Sequence, residues 1–186
     1  MMATGEDYDP GDFILTHSKC FVSRIIRWGQ KLRFWGERRK YTWWNHAALI
    51  VSKEGDLIEA LGRGVVPNKI SAYALVEYTV VRIHPELANV HDRDEVVAYG
   101  KWALGEKYGY LTIVSIALNL IVGGKFTFFI DGQTICSGLV ARALERTKII
   151  FDRSPSRIMP ADLAEYFNVE PPVPGSPRGA VPPCAG

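Results

Sequence analysis

The sequence predicts an α+β fold, an antiparallel sheet packed against helices. Three observations lead there. Short apolar, β-branched runs fill the first half of the chain, and turn residues separate them. From residue 91 onward the apolar spacing becomes helical. Strands that precede helices, rather than alternating with them, mark the α+β class.

Residues 1–10 read as a flexible leader. Residues 11–18, "GDFILTHS", read as a short strand. Residues 20–35 place Val22, Ile25, Ile26 and Leu32 at helical spacing, which predicts an amphipathic helix. "GERRKYTWWN" (36–45) reads as a polar and aromatic loop. "HAALIVS" (46–52) and "DLIEAL" (56–61) read as strands, and the turn at Lys53–Gly55 joins them as a hairpin. Residues 62–70 read as kinked and extended, because Gly62, Gly64 and Pro67 break regularity. "YTVVRI" (78–83) has the β-branched content of a strand. Helices are expected at 91–106, with Asp92 or Asp94 as cap, then at 111–122, 132–147 and 159–167. The tail, residues 168–186, is rich in proline and glycine and reads as disordered.

With 186 residues, 47% hydrophobic and 23% charged, the chain suits one domain with a real core, expected over 11–167. A net charge of +2 gives no argument for nucleic acid. Basic residues do cluster: residues 23–44 hold seven Lys or Arg and six aromatics. That segment reads either as a solvated basic face or as a surface for peripheral membrane contact. Three cysteines, Cys20, Cys136 and Cys184, give no paired framework, which fits a reducing compartment. The polar, acidic opening lacks the pattern of a signal peptide, and residues 110–124 are too interrupted for a membrane span. A cytoplasmic location is the expectation. No HExxH, paired CxxC or phosphate-binding glycine loop occurs, so no metal or cofactor is expected.

Candidate chemistry centres on "TICSGLVARALER". Cys136 falls at the first turn of a predicted helix whose Leu139, Val140, Ala143 and Leu144 face a core. Unpaired N–H groups there favour a thiolate and can hold an oxyanion. A buried core cysteine is the other reading. A thiol nucleophile needs a base, and His46 stands at the mouth of a buried strand. The hairpin folds Glu59 back towards His46, where it can orient the ring. His17, three residues from Cys20, forms a rival pair. Tyr108 and Tyr110 are candidate pocket walls or simply packing residues, Tyr108 is also a candidate oxyanion donor, and Trp43 and Trp44 are candidate pocket walls. Gln133 is a candidate oxyanion donor or a solvated loop residue.

"CSGLV" at 136–140 resembles the nucleophile motif of the NlpC/P60 papain-like cysteine hydrolases. In this chain the histidine strand precedes the cysteine helix, which resembles the circularly permuted branch. That branch includes YiiX-like proteins and relatives of lecithin:retinol acyltransferase. "GDFIL", "NHAALIV", "LIEALGRGVV" and "ALGEKYGY" resemble further stretches of it, in order, across residues 11–167. The resemblance implies a permuted papain-like fold with Cys136 as nucleophile, His46 as base and Glu59 as orienting residue. Two positions depart from it. Ile135 stands where many members have Asp, and Glu59 stands where the acyltransferases have a second His, which favours the YiiX-like side.

The expected function is a cysteine amidase or peptidase, with a peptide, an aminoacyl amide or a cell-wall-type fragment as substrate. The alternatives are a lipid-directed thiol hydrolase or acyltransferase, and a catalytically silent binding module that kept the fold.

Overall fold

The computed structural model describes residues 8–18, 21–61, 64–106 and 136–172, the side chains at 21–23 and 25 excepted. The chain is α+β, with a five-stranded antiparallel sheet. Its strands are β1 (Phe13–His17), β2 (His46–Ile50), β3 (Asp56–Leu61), β4 (Gly64–Lys69) and β5 (Glu77–Val81). The order across the sheet is β4-β3-β2-β1-β5. The α-helices among the described residues are α1 (Phe21–Arg33), α2 (Val90–Trp102), α3 (Cys136–Leu144) and α4 (Pro160–Tyr166).

The expected hairpin forms, with Leu49 opposite Ile58 and Ile50 opposite Leu57. Gly55 makes its turn at a φ of 80°, a left-handed conformation that glycine adopts without penalty. Residues 64–69 are a regular strand despite Pro67. β4 is an edge strand, and a proline there costs no ladder hydrogen bond on the solvent side. β5 pairs with β1 on the opposite flank, Ile14 facing Val80.

Alternation along the strands divides the sheet into two faces. Phe13, Leu15, Ala47, Leu49, Ile58 and Ala60 point towards α2, α3 and α4, and form the main core with Val96, Leu139, Val140, Leu144 and Leu163. Ile14, Ala48, Ile50 and Leu57 face the other way and pack with Ile70, Tyr8, Tyr73, Tyr78 and Val80. Helix α3 lies against β2 and β3. Its eight buried residues include Ser137, whose hydroxyl donates to the Ile158 carbonyl over 2.6 Å.

Asp12, in the "GDFIL" stretch, closes the end of the sheet. It is buried and accepts from Arg93 over 2.8 Å and from the Ile83 N–H over 2.9 Å. One side chain thus ties the start of β1 to the chain beyond β5 and to α2.

Several expectations need correction. Helix α2 is capped by Asn89, with Asp92 as its reciprocal partner in a capping box, rather than by Asp92 or Asp94 alone. Residues 36–43 are a 3₁₀ segment instead of an irregular loop. Helix α1 turns a polar side inward. Gln30 is fully buried, donating to the Trp44 carbonyl over 2.9 Å and accepting from the Ala161 N–H over 2.8 Å. That N–H lies in the first turn of α4, where no intrahelical partner exists. Leu32, expected on the apolar side, is instead 38% exposed.

The first residues assigned to the tail are also fixed. Asn168 accepts from the Tyr41 hydroxyl over 2.7 Å, Val169 accepts from the Trp44 indole over 2.9 Å, and Glu170 pairs with Lys40. Proline and glycine content hid these anchors, because their partners lie more than a hundred residues away. The expected helix at 111–122 and residues 173–186 lie outside the described residues.

Candidate active site

Antiparallel pairing of β2 and β3 puts His46 and Glu59 on one face, diagonal across the hairpin. His46 Nε2 and Glu59 Oε2 are 2.6 Å apart. Glu59 is fully buried, so its carboxylate must be satisfied by protein groups. Three donors do this. His46 bonds Oε2, the Tyr73 hydroxyl donates to the same oxygen, and the Asn68 amide donates to Oε1. The Tyr73 ring also stacks near the His46 ring, with centroids 6.3 Å apart.

The packing of α3 on β2 brings Cys136 to the other side of the imidazole. The Cys136 sulfur and the His46 ring lie close enough to shift each other's protonation. Because Glu59 occupies Nε2, the nitrogen left for sulfur is Nδ1. The backbone N–H groups of Ala47 and Ser137 also point at the sulfur. Cys136 is a free thiol and only 2% exposed.

Electrostatics couple the three groups. Burial alone would push the Cys136 thiol up, but the charge and hydrogen bond of His46, with the two N–H groups, bring it below its ordinary value. Burial would depress His46, yet the Cys136 thiolate and the Glu59 carboxylate push it up to about 10. Burial would likewise raise Glu59, and the same histidine, with Tyr73 and Asn68, keeps it lowered and ionised. Burial and the Glu59 charge raise Tyr73, which holds its phenol protonated as a donor. Both shifts favour the thiolate–imidazolium form of the pair.

The geometry thus joins Cys136, His46 and Glu59, residues separated by as many as 90 positions in the sequence. It also adds two residues that sequence reading missed. Asn68 follows Pro67 on the edge strand, and Tyr73 lies in the 3₁₀ turn Ile70–Tyr73. Neither carries a local signature. Their role comes only from the closeness of β3, β4 and that turn.

The tryptophans part company. Trp44 is 1% exposed, with its indole N–H committed to Val169. It is a core anchor for the C-terminal segment rather than a pocket wall. Trp43 stacks on His17 with centroids 4.0 Å apart, and Arg27 lies over its ring. His17 Nδ1 bonds the Trp43 carbonyl at 2.7 Å, so this histidine has a packing role. Its rival partner Cys20, together with Tyr108, Tyr110, Gln133 and Cys184, lies outside the described residues. Among the described residues, no group of three or more His, Cys, Asp or Glu is placed to hold a metal ion. No helix among them is long and apolar enough to cross a membrane.

No protein-family model matches the chain, and no curated protein matches it.

Proposed function

We propose that the chain is a cysteine hydrolase of the permuted NlpC/P60 kind, cleaving an amide bond through a thioester acyl-enzyme. One observation carries this reading: the His46 ring bridges a buried carboxylate and a buried thiol whose protonation they jointly shift. A merely structural cysteine has no use for a raised imidazolium beside it, and activated nucleophiles have this arrangement. The succession of histidine strand, acidic strand and cysteine helix also supports the permuted order.

In this mechanism the Cys136 thiolate adds to the carbonyl carbon of the amide. The carbonyl π electrons move to oxygen, and a backbone N–H of the α3 first turn stabilises the oxyanion. Collapse breaks the C–N bond. The His46 imidazolium gives its proton to the departing nitrogen, so amine leaves and a Cys136 thioester remains. Neutral His46 then takes a proton from water, whose oxygen attacks the thioester. Carboxylic acid departs, and thiolate and imidazolium return. Glu59 stays ionised throughout and holds the ring by Nε2.

A panel of fluorogenic peptide and aminoacyl amides tests the reading. Turnover by the wild-type chain, lost in Cys136→Ala, is expected, with an acyl adduct mapping to the peptide that contains Cys136. Adducts on Cys20 instead, or turnover that survives Cys136→Ala, would refute it.

A further inference from the structure

Helix α1 is oriented against the usual logic of a surface helix. Its inward side carries the buried Gln30 and an Arg33 paired with Asp162 over 2.5 Å. Its outward side carries the tryptophan. At 3.6 residues per turn, Arg24, Trp28, Lys31 and Leu32 fall within an arc of about 100°. Trp28 is 46% and Leu32 38% exposed, and Trp35, just past the helix, is 71% exposed. The Trp35 indole N–H donates to the Leu32 carbonyl over 3.1 Å, which pins that ring beside Leu32. Single exposed apolar residues need no explanation, but this is a continuous Trp-Leu-Trp stripe.

The charges around the stripe are sorted. Arg33, Arg38 and Lys40 are neutralised by Asp162, Glu165 and Glu170. Arg24, Lys31 and Arg39 have no acidic partner among the described residues. Glu37 is the only acid between residues 21 and 44. The surface therefore offers two amphipathic rings, an aliphatic residue between them and uncompensated cations at the border.

We propose that this stripe docks the protein onto an anionic lipid surface. Trp28, Leu32 and Trp35 enter the boundary between headgroups and acyl chains, where indole rings are favoured. Arg24, Lys31 and Arg39 meet the lipid phosphates. The helix lies in the plane of the interface and does not cross it. Trp43 and Trp44, although in the same basic segment, take no part, because one is stacked on His17 and the other is buried.

The test is cosedimentation of the full chain with phosphatidylcholine vesicles, with and without phosphatidylglycerol. Binding is expected only to the anionic vesicles, and raised salt weakens it. Arg24→Gln with Lys31→Gln is expected to lower partitioning by about 30-fold, roughly fivefold for each charge. Trp28→Ser with Trp35→Ser removes binding as well. Brominated lipid quenches the tryptophan fluorescence of the wild-type chain, and this must persist in Trp102→Phe, which removes the other strongly exposed tryptophan. The proposal is overturned by absence of binding, by folded stripe variants that bind like wild type, or by quenching lost in Trp102→Phe. It is equally overturned if wild type self-associates and the stripe substitutions abolish that association while leaving vesicle binding unchanged.

Discussion

Replacing Glu59 by Gln keeps the shape of the side chain and removes its charge. Three groups donate to the Glu59 carboxylate: His46, Asn68 and Tyr73. Glutamine offers one acceptor oxygen and an NH₂ that itself donates. At least one former donor must rotate or lose its partner, at about 1–3 kcal/mol of stability. The electrostatic effect falls on His46. Unit charges roughly 4 Å apart at an effective dielectric near 20 interact by about 4 kcal/mol, which bounds the loss from above. Losing the hydrogen bond of His46 to a charged partner costs about 1.5–3 kcal/mol, or roughly one to two pH units on the imidazolium. The thiolate–imidazolium pair weakens by the same free energy.

The assay is the pH dependence of Cys136 alkylation by iodoacetamide, mapped by peptide mass so that Cys20 and Cys184 are read separately. In the wild-type chain the lowered thiol keeps alkylation fast below the ordinary cysteine range. In Glu59→Gln the profile moves to higher pH by about one to two units, and alkylation at neutral pH slows about ten- to hundredfold. An unchanged profile in a folded Glu59→Gln chain would show that Glu59 does not support the imidazolium.

Tyr73→Phe removes one donor and leaves the carboxylate charged. It should leave the alkylation profile close to that of the wild-type chain, because the charge beside His46 remains, and cost about 1 kcal/mol in urea denaturation. The pH–rate profile for amide hydrolysis should keep activity below the usual thiol range and lose it as His46 deprotonates near 10; a profile rising only through the ordinary cysteine range contradicts the ion pair. Gly100→Ala drives a Cβ to 2.6 Å from Leu49 Cδ2 in the core between α2 and β2, and should cost about 1–3 kcal/mol by the same denaturation measurement. Asp12→Ala strands the Ile83 N–H and removes the carboxylate partner of the half-buried Arg93 guanidinium, with an expected loss of about 1–3 kcal/mol and a lower thermal midpoint.

The sequence by itself determined four of the five strands, the β2–β3 hairpin and the α+β class, because alternation and turn chemistry are local; Gly64 and Pro67 concealed the edge strand β4. It also singled out Cys136, His46 and Glu59, since a nucleophile, a base and an orienting acid are chemical identities that can be read one residue at a time. Only the tertiary structure decided how the carboxylate is held. Asn68 and Tyr73 acquire that role because β4 and the following turn bring them to Glu59. Only the tertiary structure, too, decided which side of α1 faces inward. Apolar spacing predicts burial of the apolar side, but Gln30 and Arg33 find their partners at Trp44, just past the 3₁₀ segment, and on α4, which leaves Trp28 and Leu32 outside. Hydrophobic periodicity records the preference of each side chain for water. It holds no record of a hydrogen-bonding partner supplied from 130 residues further along the chain.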